Sequence, residues 1–209
     1  KRKYGLPVRF HDYKKIYQNS NLDFLEFHLS YKDMDLDIDK FFDKKLNCRL
    51  IVHAPDLYQN DHILNLADEN SDQSIYELQR VINLTRKLNK YFDDEKPNII
   101  ASIGGYTRDK RATGSQINKM INTLIKNLKK LDFKNTRLLA QTLPPFPWYL
   151  GGQMHCNLFV KPDDIFKICS KSELELCLDL SHTKLSANKF NFDYDDFLNL
   201  DKPIKDLDD

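Results

Sequence analysis

The residues of this chain best suited to chemistry are its six histidines, and they are not scattered. Each stands at, or just beyond, the end of an apolar run of strand length: His11 in LPVRFHDY, His28 in LDFLEFHLS, His53 in RLIVHAP with His62 downstream, His155 after RLLAQTLPPF, and His182 in LELCLDLSH. In a βα-repeat protein the C-terminal edge of the sheet is where ligands and catalytic groups collect. Side chains two apart on a strand share a face. Arg9 and His11 therefore form one pair and Glu26 and His28 another, each directed into a pocket. One isolated Glu–His pair is more readily a buried ion pair than a site. The same pattern on several strands points to a site, with Glu26, His28 and His53 as acid/base groups tuned by the pocket. Arg9 suits an anionic substrate group, with His11 beside it as a second substrate-binding residue.

Three further stretches carry chemistry. Asp179-Leu-Ser-His182 puts a carboxylate at a strand end and an imidazole three residues on, a pair that can ligate one metal or bridge two; alternatively, Asp179 caps the next turn and His182 lies in a surface loop. Gly104-Gly105 lets the backbone come close to a ligand such as a phosphate, or makes a tight βα turn. The string Gln141-Thr-Leu-Pro-Pro-Phe-Pro-Trp-Tyr-Leu-Gly-Gly-Gln153 puts Gln141 at a strand top. Phe146, Trp148 and Tyr149 form a stacking wall for the apolar face of a sugar, or a plug over a barrel mouth, and prolines limit the ordering entropy lost on binding. Gln141, Trp148 and Gln153 are its substrate-binding candidates.

The elements that must position these groups follow from periodicity. Strands are expected at about Leu6–Phe10, Leu22–Leu29, Arg49–His53, Asn98–Ile103, Arg137–Gln141 and Leu174–Leu180. Helices are expected near Tyr13–Gln18, Leu36–Lys45, Asp72–Tyr91, from an N-cap at Ser115 to about Leu131, from Pro162, and near Tyr194–Leu200. Proline at the first helical position and acids in the first turn favour the start at Pro162. No strand pair carries a hairpin signal. Strict β/α alternation means a parallel sheet with outer helices, and the absence of G-x-G-x-x-G after the first strand argues against a dinucleotide fold. The expected architecture is α/β, a (β/α) TIM-barrel-type domain over residues 1–209 with about six of eight βα units, truncated at the C-terminus.

Bulk properties narrow the partners. With 32 basic and 31 acidic residues there is no field favouring DNA or an anionic membrane. No apolar run approaches the roughly 20 residues of a membrane span, and the start KRKYGLPVRF has no h-region. Cys48, Cys156, Cys169 and Cys177 form no C-x-x-C pair, so reduced thiols and a cytoplasmic location are expected.

The strings E-F-H at Glu26–His28, H-A-P at His53–Pro55, Gln141 and D-x-x-H at Asp179–His182 resemble the xylose-isomerase-like TIM barrels, the superfamily of sugar (phosphate) isomerases and epimerases that also holds apurinic-site endonucleases. More closely, VRFHDY, LEFHLSYKD, VHAPDLY, QTLPPFPWYLGGQ and CLDLSH are similar to the barrel domain fused behind bacterial sialic-acid-synthase-type enzymes. The resemblance implies a sugar or sugar-phosphate isomerase/epimerase-like domain serving sialic acid or other nonulosonate biosynthesis, with a covalently fused or associated synthase domain as partner. It also implies a divalent metal (Zn, Mn or Mg), with Asp179 as the sixth-strand ligand and His182 as its partner. Gln141 stands where the superfamily has a fifth-strand Glu, a neutral and poorer ligand. That substitution supports the alternative of a non-catalytic sugar-binding or scaffolding domain. Abasic-DNA hydrolysis is disfavoured by the balanced charge.

Overall fold

The computed structural model describes residues 2–147, 154–172 and 174–195. Its strands are β1 (Gly5–Val8), β2 (Phe24–His28), β3 (Arg49–His53), β4 (Asn98–Ala101), β5 (Tyr106–Arg108), β6 (Arg137–Gln141), β7 (Met154–Cys156) and β8 (Glu175–Cys177). Its α-helices are α1 (Tyr13–Gln18), α2 (Asp72–Leu88), α3 (Gly114–Leu128), α4 (Pro162–Cys169) and α5 (Leu180–Phe190). The expected α/β class holds: six strands form a parallel sheet in the order β1-β2-β3-β4-β6-β8. The register is in step, with Glu26 opposite Ile51 and His28 opposite His53.

The chain packs as two compact units. The first comprises residues 1–64, 76–101 and 131–139, the second 65–75, 102–130 and 140–209. In the first unit, strand alternation separates two kinds of surface. Leu25, Phe27, Leu50 and Val52 are fully buried, whereas Phe24, Glu26, His28, Arg49 and Ile51 are half-buried. Phe27 centres an aromatic cluster, with Phe10, Tyr13, Phe42 and Phe92 rings 5.1–6.1 Å from its own. The α2 stripe of Leu78, Val81, Ile82 and Leu88 is buried in the same unit. In the second unit the core holds Ile121 and Leu124 of α3, Leu158–Val160, and Ile165 and Ile168 of α4.

Several expectations need correction. The first strand stops at Val8 because Asp12 turns the chain: its Oδ1 accepts the Arg9 N–H at 2.7 Å, and the Arg9 carbonyl accepts the N–H groups of Asp12 and Tyr13. Over the expected helix Leu36–Lys45 only a short 3₁₀ turn forms, at Ile38–Lys40, preceded by another at Tyr31–Asp35. Aspartates at 33, 35, 37 and 39 disfavour a helix interior, and two of them are engaged elsewhere, Asp35 by Arg80 and Asp39 by Tyr91. Helix α3 is capped by Thr113 rather than Ser115, through a capping box with Gln116. A helix unforeseen in the sequence, α5, follows β8 directly. Strict alternation also fails in the second unit, where β5 and β7 pair antiparallel, Tyr106 opposite Cys156. The Tyr194–Leu200 helix lies largely outside the described residues. Among the described residues no helix is long and apolar enough to cross a membrane, and all four cysteines are free thiols.

Candidate functional site

Two adjacent parallel strands of the first unit end in histidine, and their register puts His28 and His53 side by side. The two imidazoles stack at 4.1 Å between centroids and 22° between planes. Glu26, two residues before His28, shares its face and accepts a 2.7 Å hydrogen bond from His28 Nε2. His53 donates Nδ1–H to the Ala54 carbonyl at 3.1 Å, which fixes its tautomer and leaves Nε2 as the acceptor nitrogen. One ligand-type atom from each of Glu26, His28 and His53 lies within 4.8 Å of the others.

The electrostatics of the cluster follow from burial and mutual charge. Burial pushes the Glu26 carboxyl up, but the hydrogen bond from His28 and the charges of His28 and His53 outweigh it and hold the group below its ordinary value. Burial first, and the charge of His28 second, push the His53 imidazole below its ordinary value; the Ala54 bond and the carboxylates of Asp56 and Glu26 oppose them. The cluster at neutral pH is therefore an ionised Glu26 bonded to His28, next to a neutral His53.

Arg9 and His11 part company where β1 ends. The Arg9 guanidinium reaches back to donate to the His28 carbonyl. With Pro7, Val8, Asp12, Glu26 and His28 it lines an open depression of about 330 Å³. His11 points to solvent, its side chain 81% exposed and 3.7 Å from Asp12.

In the second unit, Gln141, Asp179 and His182 come together as a hydrogen-bonded group. Asp179 is the N-cap of α5, its Oδ1 accepting the His182 N–H at 2.9 Å, and its Oδ2 accepts from Gln141 Nε2 at 3.1 Å. His182 donates Nδ1–H to the Thr142 carbonyl at 2.9 Å and lies 3.5 Å from Asp179 Oδ2. Thr142 and Ser102 escaped the sequence reading. The Thr142 hydroxyl accepts the Asp179 N–H at 2.9 Å, and Ser102 donates to Gln141 Oε1 at 3.4 Å. The only hint was that Thr142 follows Gln141 directly. Trp148 and Gln153 lie outside the described residues. Gly104 and Gly105 meet protein rather than an open cradle. A Cβ on Gly104 would lie 2.4 Å from Asn65 Oδ1, one on Gly105 2.5 Å from Leu158, and Asn65 Oδ1 accepts the Gly105 N–H at 2.9 Å. His155 sits in β7 against the Phe146 ring, and His62 follows a 3₁₀ turn beside Tyr58.

The same arrangement of strands and helices is found in solved structures. One is titled a D-tagatose 3-epimerase-like protein, with a TM-score of 0.57, 14% identity, and coverage of 87% of this chain and 66% of that one. Another is an L-ribulose 3-epimerase, with a TM-score of 0.52, 14% identity, and coverage of 88% and 63%. The fold is of the (β/α) TIM-barrel type. The chain spans less than two thirds of the length of either structure. No protein-family model and no curated protein sequence matches it.

Proposed function

We propose that the chain is a sugar or sugar-phosphate isomerase/epimerase-like domain whose reaction centre is the Glu26–His28–His53 cluster. The observation that carries this reading is the convergence of those three side chains from two strand ends on a half-buried surface. Isomerisation and epimerisation next to a carbonyl need a group that takes a proton from carbon and one that serves the carbonyl oxygen. Glu26, kept ionised by His28, is suited to the first task; His28, whose Nε2–H is the donor at the cluster, is suited to the second, and the unprotonated Nε2 of His53 can accept a substrate hydroxyl proton beside it. Arg9 bonds the anionic group of a phosphorylated or acidic sugar at the mouth of the depression.

The resemblance of QTLPPFPWYLGGQ to the barrel domain behind sialic-acid-synthase-type enzymes supports a nonulosonate precursor as substrate, with a fused or associated synthase domain as partner. The metal that the resemblance implies at Asp179 and His182 fits poorly: both Asp179 oxygens accept hydrogen bonds from protein groups, and Gln141 turns an amide N–H toward one of them. No step is assigned to a metal there. Trp148, with its stacking face, and Gln153, at the end of the same proline-stiffened string, complete the substrate-binding set on the sequence alone.

The test is to incubate the full-length protein with ketoses, aldoses and their phosphates in D₂O and follow them by NMR. The reading predicts an isomerised or epimerised product carrying deuterium at the carbon next to the carbonyl. Saturable sugar binding with no product from any sugar would support the non-catalytic alternative that Gln141 favours.

A further inference from the structure

The three side chains of the cluster are also a mixed carboxylate–imidazole donor set, a property the proton-transfer reading does not use. We propose that Glu26, His28 and His53 form a binding site for one divalent transition-metal cation, such as zinc or manganese.

Three features carry the inference. The donor atoms lie within 4.8 Å of one another, and they come from two strands whose register fixes them at one level of the sheet. A cation at about 2.1 Å from each ligand needs donor atoms about 3–3.5 Å apart. The 2.7 Å Glu26–His28 separation is on the short side of that, and no separation exceeds 4.8 Å, so the set closes onto an ion by side-chain rotation. Second, His53 donates Nδ1–H to the Ala54 carbonyl, the outer hydrogen bond that orients a metal-ligating imidazole and leaves Nε2 for the ion. Third, the site can be reached, with the Glu26 and His28 side chains 22% and 36% exposed.

The contrast with the second unit sharpens the assignment. There the Asp179 oxygens are committed to the first turn of α5 and to the Gln141 amide. At the β2–β3 ends, the Glu26 carboxylate bonds its fellow ligand His28. A cation and the proton shared by Glu26 and His28 are alternatives at the same atoms. When bound, the cation would polarise a substrate oxygen, in place of proton transfer by these side chains. The site concerns the proposed reaction centre, but cation uptake does not depend on the sugar reading.

The test is equilibrium dialysis of the chelator-treated full-length protein against zinc chloride or manganese chloride, without sugar. One equivalent of one of these metals is expected. Glu26→Gln should weaken uptake by about a hundredfold or more with an unchanged circular dichroism spectrum, while Asp179→Asn should change it less than about threefold. Uptake well below one equivalent, or uptake lost in Asp179→Asn and kept in Glu26→Gln, overturns the proposal. Metal uptake without sugar turnover would count against the sugar reading alone. Turnover without uptake would count against the cation site alone.

Discussion

Arg9, Glu26, His28 and His53 carry the account at the scale of single residues, and each has a separable consequence. Arg9 donates to a backbone carbonyl and lines the depression beside Glu26. Arg9→Ala should raise KM for a phosphorylated sugar by about tenfold, the worth of one charge-assisted bond, and leave kcat and the KM of the unphosphorylated sugar nearly unchanged. Steady-state kinetics on the two sugars checks this. His53 is held below its ordinary value chiefly by burial, so the unfolded chain binds more protons there than the folded one. Stability from this residue is present above about pH 6.5, the unfolded value, and is lost as pH falls from there through the folded value. Urea unfolding at pH 7.5 and 5.5 should show lower stability at 5.5, with a smaller difference in His53→Gln; equal pH dependence in the two proteins would contradict the assignment. The pairing of Glu26 with His28 could be read from their spacing on one strand. The stacking of His28 on His53 could not, because it depends on the register of two strands 20 residues apart.

At the scale of elements, local rules succeeded where the signal was local. Arg49–His53 and Arg137–Gln141 stand where their apolar runs put them, and Pro162 opens α4 as its fixed φ favours. Failures came where a side chain took over a backbone group: Asp12 ends β1, Asp179 starts α5, and Thr113 with Gln116 moves the start of α3. The Thr-x-x-Gln spacing was a legible capping box; the Asp12 turn was not. Gly104 shows a conformational demand of this kind, at φ +120 with a built Cβ only 2.7 Å from Asn65 Cα. Gly104→Ala should therefore destabilise the protein by about 2 kcal/mol, read as a lower urea midpoint at unchanged m-value. An unchanged midpoint would show that the turn can relax.

For the whole molecule, the alternation of strand and helix was enough to foresee a parallel α/β sheet, because each βα unit announces itself over a short window. The antiparallel pairing of β5 with β7 was invisible for the opposite reason. Each strand is three residues long, and between them in the chain stand α3 and β6. At 14% identity the likeness to the epimerase structures fixes the path of the backbone and leaves the chemistry to this chain's own side chains. Glu26 is the side chain on which that chemistry turns, so the most direct measurement is kcat of Glu26→Gln against the wild type on a sugar the full-length protein converts. The account predicts a loss of about a hundredfold or more with the circular dichroism spectrum unchanged. Wild-type turnover by Glu26→Gln would contradict it.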